Sequence, residues 1–239
     1  MKENTFFKWL TFAGLTVLAG VALVTCSGCS PVDVKAAPAF SAHEAAASLQ
    51  VPDGACSGTK YLPHTVLTAA HCLSEGLVSV DGKPAKVLYT LADKTDHVFV
   101  VTDLTFPGPF PTPRFTDGLL QGTVIHFYGD PLGIPDQYRL GYVTGNCKAD
   151  YCFPGLSGVL GLPTDYPVAL LSVMGQHGDS GAGIYNADDE LVGVVSLVQQ
   201  EMPPPFVPMG ALPFTFTAGE IATVALMDGG AVAAMEPAP

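Results

Sequence analysis

Charged residues are scarce in this chain of 239 residues: they make up 13% of it, with 10 lysines and arginines against 22 aspartates and glutamates. Globular domains usually carry about a quarter charged residues. With 48% apolar residues, this composition argues against a solvated helical bundle and against a disordered chain. The formal net charge of −12 repels phosphate backbones, so we expect no nucleic-acid partner.

Tryptophan is also scarce, and the single one, Trp9, opens an apolar run that ends at Val24. Lys2 and Lys8 precede this run. A run of this length is shorter than the roughly 20 residues of a membrane span and is typical of a signal-peptide core. We therefore expect residues 1–28 to be a signal peptide that exports the rest of the chain.

Small residues follow the apolar run. Ser27-Gly28-Cys29 resembles the end of a bacterial lipoprotein signal, in which Cys29 is acylated and becomes the new N-terminus, although Cys26 stands where leucine is usual. An uncleaved N-terminal anchor and ordinary secretion are the alternatives, and all three place the protein outside the cytoplasmic membrane. Residues 29–50 are rich in alanine, serine and proline and predict a tether to the membrane on the extracytoplasmic side of the cell envelope.

Helix-period stripes are rare in the remaining chain, and β-branched and aromatic runs dominate it. The predicted strands include Thr65–Thr68, Leu77–Val80, Ala85–Tyr89, His97–Val101, Val124–Tyr128, Leu140–Val143 and Leu191–Ser196. Asp81-Gly82 favours a hairpin. Many short strands separated by glycine and proline indicate an all-β barrel or sandwich.

Three segments outside these strands have their own signals. Pro107–Pro113 holds too many prolines for a central strand and predicts a stiff linker between two β units. Gly219–Met227 predicts one short C-terminal helix, and residues 229–239 predict a loose tail.

Two motifs carry the chemical signal. Gly178-Asp179-Ser180-Gly181 places a serine between glycines, and Thr68-Ala69-Ala70-His71-Cys72 lies 109 residues upstream when His71 is counted against Ser180. These segments resemble the chymotrypsin-like (trypsin-fold) serine proteases, with a third match in the cysteine at Cys56, 16 residues before Cys72. The resemblance covers about Ala55 to Leu226 and is weak between the motifs, as in a distant bacterial or phage member.

The resemblance implies an all-β fold of two six-stranded antiparallel β-barrels with a short C-terminal helix. The first barrel is then expected at residues 51–113 with the histidine and the aspartate. The second barrel is expected at residues 114–228 with the serine.

A serine hydroxyl is a weak nucleophile and needs an adjacent base, and a neutral imidazole such as that of His71 can accept its proton near neutral pH. The resemblance makes Ser180 the nucleophile and assigns the oxyanion hole to the backbone N–H groups of Gly178 and Ser180. The third member must be a carboxylate that orients the histidine. Asp96 precedes an apolar strand as in the family, Asp103 at the end of that strand is the rival, and Asp93 lies in a polar loop.

The resemblance pairs Cys56 with Cys72. The remaining cysteines of the body, Cys147 and Cys152, are then expected to pair with each other at a hairpin tip. A zinc site competes for cysteine and histidine clusters, but no two-residue cysteine spacing lies beside a histidine pair in the body of the chain. We therefore expect no metal and no other cofactor.

The resemblance implies that substrate binds at Met174, six residues before the serine, and at Ser196 and Val198 on a strand edge. Met174 is not acidic, so we expect a small or medium apolar residue before the cleaved bond. His177 is placed at the rim. Digestive members of the family are activated when a cut frees an Ile-Val-Gly-Gly N-terminus, which then pairs with the aspartate before the serine. No such segment occurs near residue 51, so we expect no activation of this kind. Asp179 must then have another partner or be solvated.

The sequence thus predicts an exported, membrane-tethered serine endopeptidase acting on proteins or peptides. A catalytically silent trypsin-fold surface binding protein is the first alternative. An esterase that uses the same three residues is the second.

Overall fold

The computed structural model describes residues 40–114, 119–155, 157–158, 161–198 and 208–235. The predicted signal peptide, Cys29 and the first part of the tether lie outside these residues. Within the described ranges, no helix combines the length and the apolar character needed to cross a membrane.

Seven antiparallel strands form the first sheet, in the order β5-β4-β1-β2-β3-β7-β6. Their bounds are β1 Ala46–Val51, β2 Gly54–Leu62, β3 Thr65–Ala69, β4 Ser79–Val80, β5 Lys83–Pro84, β6 Val87–Ala92 and β7 His97–Thr102. In the described part of the chain no pairing joins β5 to β6, so this sheet is a half-barrel. The predicted hairpin at Asp81-Gly82 joins β4 to β5, with both residues at positive φ.

The second sheet has the order β12-β9-β10-β11-β14-β13-β8, and a β12–β13 pairing closes six of its strands into a barrel. The bounds are β8 Thr112–Pro113, β9 Val124–Gly129, β10 Gln137–Lys148, β11 Pro167–Met174, β12 Gly183–Asn186, β13 Glu190–Val198 and β14 Pro208–Leu212. The proline-rich linker contributes only the edge strand β8, which pairs in parallel with β13 and needs few ladder donors.

The all-β trypsin-like fold is confirmed, with one difference: the first unit is an open sheet of seven strands rather than a closed six-stranded barrel. The tether prediction is wrong for its last part. A short helix α1 (Ala42–Ala45) leads into β1, which pairs with β2 and β4. Leu49 and Ala47 are buried there, and this alternate burial explains why an alanine-rich segment is held in a sheet.

The C-terminal helix is longer than predicted. It spans Ala218–Met235 (α3), so the residues expected to form a loose tail from 229 onwards begin inside it. The Asp228 carboxylate accepts hydrogen bonds from His64 N (2.7 Å) and Thr65 Oγ1 (2.8 Å), and Ala231 is buried. These tertiary contacts offset the low helix propensity of Gly229 and Gly230.

The two sheets share a core. One cluster contains Leu67 and Phe99 from the first sheet, Tyr185 and Val194 from the second, and Val224 from α3. Because these apolar faces pack together, residues at the adjoining ends of the two sheets are brought side by side.

The described residues contain two disulfides, Cys56–Cys72 and Cys147–Cys152. The first ties β2 to a 3₁₀ turn at Ala70–Leu73. The second joins the end of β10 to the short helix α2 (Ala149–Cys152). It lies in the connection between the antiparallel strands β10 and β11, where a hairpin tip was predicted.

Replacing Cys56 and Cys72 together by serine should lower the free energy of unfolding by about 3 kcal/mol, since chain-entropy stabilisation grows with the length of the closed loop. The matched control, a Cys147/Cys152 double serine variant, closes the shorter loop and should lose about 2 kcal/mol. Urea unfolding measures both. A larger loss in the control would contradict the loop-length argument.

Candidate active site

The predicted base, His71, lies in the 3₁₀ turn directly after β3. Its ring is about two-fifths exposed and lines a cleft that also contains Ser180, Gly178 and His177. The structure therefore brings together the histidine and serine motifs, which are far apart in the chain.

Behind the imidazole lies Asp96, which is 1% exposed and immediately precedes β7. Its Oδ2 is 2.7 Å from His71 Nδ1, and its Oδ1 accepts the His71 backbone N–H at 2.9 Å. The Ala70 N–H also donates to the Asp96 carbonyl at 2.7 Å. A proton on Nδ1 directed at this carboxylate leaves Nε2 free to accept one from the cleft.

The rival carboxylate has a different partner. Asp103 is exposed, lies just beyond the far end of β7, and accepts the Lys86 backbone N–H at 2.8 Å. The antiparallel register Ala69↔His97 brings the first residues of β7 next to the histidine turn. This register is a tertiary feature that the two candidate positions in the sequence did not reveal.

Asp93, expected in a polar loop, is instead a buried carboxylate. Its Oδ2 lies 2.7 Å from His97 Nδ1 and accepts the Thr215 backbone N–H at 3.1 Å. Burial acts to raise the pKa of Asp93, but the His97 ring, the Thr95 hydroxyl and the Thr215 N–H outweigh it and hold this pKa far below its usual range. The Asp93–His97 pair braces the loop that carries Asp96.

Two backbone carbonyl groups next to Gly178 and Ser180 accept hydrogen bonds from the main chain. The His177 carbonyl accepts the Leu132 N–H at 2.6 Å, and the Asp179 carbonyl accepts the Ala182 N–H at 3.1 Å. In a trans peptide the C=O and the following N–H point in opposite directions. The N–H groups of Gly178 and Ser180 therefore point away from these anchors.

Glycine is required at the first of these positions. Gly178 has φ +98, and a Cβ there would overlap the carbonyl of Asp130. Left-handed backbone and a close approach to a neighbouring chain segment together exclude a larger residue.

Asp179 is fully buried, so it is not solvated and must have a partner in the protein. Its Oδ2 accepts the Gln176 N–H at 2.9 Å. Burial raises the pKa of Asp179; the Gln176 bond and the charge of Arg139 oppose this shift, and the charge of Asp130 adds to it.

The predicted substrate-binding residues lie beside a segment that is outside the described residues. Met174 ends β11 opposite Pro208 and is 55% exposed, Ser196 is buried in β13, and Val198 pairs with Met209. Met174 and the two β13 residues lie on strands that flank β14, and residues 199–207 between Val198 and Pro208 lie outside the described ones. The preference for an apolar residue before the cleaved bond stays a prediction.

Some residues of the site have no clear signal in the sequence. Ser57, which lies beside Cys56, contacts the serine turn, and Asp93 and His97 form a buried pair. Asp53 and Glu75 lie on the wall of the cleft. The one signal available was the cysteine motif that contains Ser57.

The fold is that of the trypsin-like serine proteases: two β units with the histidine turn and the serine turn at their junction, followed by a C-terminal helix. No family model matches the chain, and no curated protein matches its sequence. The likeness is therefore one of structure.

Three solved structures illustrate it. A serine-to-alanine mutant of Rv3671c from M. tuberculosis, in its inactive form, is 17% identical, with a TM-score of 0.55, over 83% of this chain and 91% of that one. A Glu endopeptidase is 18% identical, with a TM-score of 0.56, over 80% and 93%. The HtrA-type protease AlgW, bound to a tripeptide, is 18% identical, with a TM-score of 0.58, over 81% and 64%.

Proposed function

We propose that this chain is a serine endopeptidase that cleaves protein or peptide substrates. The observation that supports this proposal best is the buried Asp96 carboxylate 2.7 Å from His71 Nδ1, with His71 and Ser180 lining one cleft. The fold similarity to proteases adds to it.

The proposed reaction begins with attack of Ser180 Oγ on the substrate carbonyl carbon while His71 Nε2 takes the hydroxyl proton. The negative charge that develops on the carbonyl oxygen is stabilised by the N–H groups of Gly178 and Ser180. His71 then gives its proton to the leaving amine, which departs and leaves an acyl group on Ser180. Water, deprotonated by His71, releases the acid in the same way.

Asp96 remains ionised through both steps. Its role is to hold the Nδ1–H tautomer and to stabilise the imidazolium that forms when Nε2 takes the proton. The additional bond from the His71 backbone N–H fixes the carboxylate relative to the main chain of the base.

We also propose that the enzyme is exported and anchored to the outer side of the cytoplasmic membrane through a lipid on Cys29. Support for this comes from the sequence alone: the apolar run, the small residues before Cys29 and the segment that follows. An uncleaved anchor or free secretion are the alternatives, and fractionation of wild-type and Cys29→Ser cells separates them.

A fluorophosphonate probe tests the catalytic proposal. We expect covalent labelling of Ser180, because an activated serine attacks the probe, and loss of labelling in His71→Ala, which removes the base. Mass spectrometry of the labelled peptide identifies the residue. His177→Ala, which removes another histidine of the same cleft, is the control and should still label.

The outcomes separate the candidate functions. Absence of labelling in the folded wild-type chain would support the silent surface binding protein instead. Labelling together with hydrolysis of short esters but not of casein would support the esterase.

A further inference from the structure

Ser57 lies in β2 and is 1% exposed. Its Oγ is 2.7 Å from the Gly178 carbonyl oxygen and 2.9 Å from the Asp130 backbone nitrogen. Because a backbone N–H can only donate, the hydroxyl accepts from Asp130 and directs its own proton to the Gly178 carbonyl. One side chain of the first sheet thus connects two segments of the second.

The main chain of Ser57 supports the same turn. Its N–H donates to the Ser180 carbonyl at 2.7 Å, and its own carbonyl accepts the Thr68 hydroxyl at 2.7 Å. A Cβ on Gly181 would overlap that carbonyl and that hydroxyl. β2 and β3 are therefore pressed directly against the serine turn.

The contact between Ser57 and Asp130 also bears on the peptide group between His177 and Gly178. Two residues beyond Asp130, the Leu132 N–H holds the His177 carbonyl at 2.6 Å, and Leu132 adopts φ 55, which is uncommon for a residue with a branched side chain. The Ser57 hydroxyl therefore links two groups. One is the Asp130–Leu132 segment, whose Leu132 N–H orients the His177–Gly178 peptide, and the other is the Gly178 carbonyl.

A glycine turn needs such restraint. Glycine populates positive and negative φ about equally, so the peptide preceding Gly178 can rotate and turn its N–H away from the cleft. A donor that points at the developing oxyanion before reaction is worth far more than one that must reorient during it.

We infer that Ser57 is a positioning residue for oxyanion stabilisation: its hydroxyl holds the Gly178 carbonyl and the Asp130 N–H so that the Gly178 N–H faces the reacting carbonyl. The inference rests on the proposed protease function. It acts through the backbone of the turn and requires no contact between Ser57 and the substrate.

The test compares Ser57→Ala with wild type in steady-state hydrolysis of a peptide substrate. We expect kcat to fall about 10- to 100-fold, less than the loss of a whole oxyanion donor, with KM within about twofold. The affinity for a peptide boronate, which forms the charged tetrahedral adduct on Ser180, should fall by a similar factor. Ser57→Thr, which keeps the hydroxyl, should restore most of kcat.

Thr65→Val is the matched control, since it deletes another fully buried hydroxyl, the one bound to Asp228 at 2.8 Å. It should lower the melting temperature as Ser57→Ala does and leave kcat and boronate affinity within about twofold of wild type. Equal losses of kcat in the two variants, or an unchanged kcat in folded Ser57→Ala, would overturn the inference. A wild-type chain that neither hydrolyses peptides nor labels with the fluorophosphonate would overturn the proposed function instead.

Discussion

Asp96→Asn should lower kcat by about 10⁴, with KM little changed and the fold intact. Asparagine keeps the shape of the side chain but presents an amide in place of a carboxylate that now accepts from His71 N and Nδ1. The imidazole would then adopt the other tautomer, with its proton on Nε2, and could not accept one from Ser180. Steady-state kinetics from pH 6 to pH 10, together with a melting curve, measure the effect.

Asp103→Asn is the matched control, because Asp103 carries the same carboxylate at the other end of β7 and contacts a backbone N–H of Lys86. It should retain wild-type kcat. A large loss in Asp103→Asn with little loss in Asp96→Asn would reverse the assignment of the third catalytic residue.

Gly178→Ala should reduce kcat by about 100- to 1000-fold, the effect of losing one oxyanion donor. The added Cβ would overlap the Asp130 carbonyl, and φ +98 is unfavourable for alanine, so the turn must shift. The shift moves the Gly178 N–H away from the position of the oxyanion. Peptide hydrolysis and boronate affinity should fall together.

A control substitution at a second glycine distinguishes backbone strain from displacement of the Gly178 N–H as the cause of lost activity. Gly155 has φ +82 and no atom within 4 Å of an added Cβ, so Gly155→Ala introduces the strain without the overlap. We expect a modest loss of stability and normal kcat. If Gly155→Ala loses as much activity as Gly178→Ala, general destabilisation and not the oxyanion turn explains the effect.

Much of the β structure was predictable, because β-branched and aromatic runs and turn residues are local properties. Seven predicted runs coincide with or overlap strands, including Thr65–Thr68 within β3 and His97–Val101 within β7. Three of the strands outside these runs lack this local signal. β1 is rich in alanine, and β2 and β14 contain glycines or a proline, so partners in the sheet and not intrinsic propensity hold them extended.

The extent of α3 shows the same dependence. Gly229 and Gly230 predict an early end to the helix, but Asp228 is hydrogen-bonded to the start of β3 and Ala231 is buried. Local propensity therefore understates the length of the helix.

From its order of residues alone, this chain determines a β-rich fold, a serine turn and a histidine turn, because glycines, short apolar runs and motif spacing are written along one dimension. Which carboxylate supports His71 is decided by the register of β3 against β7 within the first sheet, and the burial of Asp179 by tertiary packing. The contact between Ser57 and the serine turn forms only when the two sheets meet. These features depend on strand register and on atoms more than a hundred residues apart, as with Ser57 and Gly178, and packing alone brings such atoms within hydrogen-bond distance.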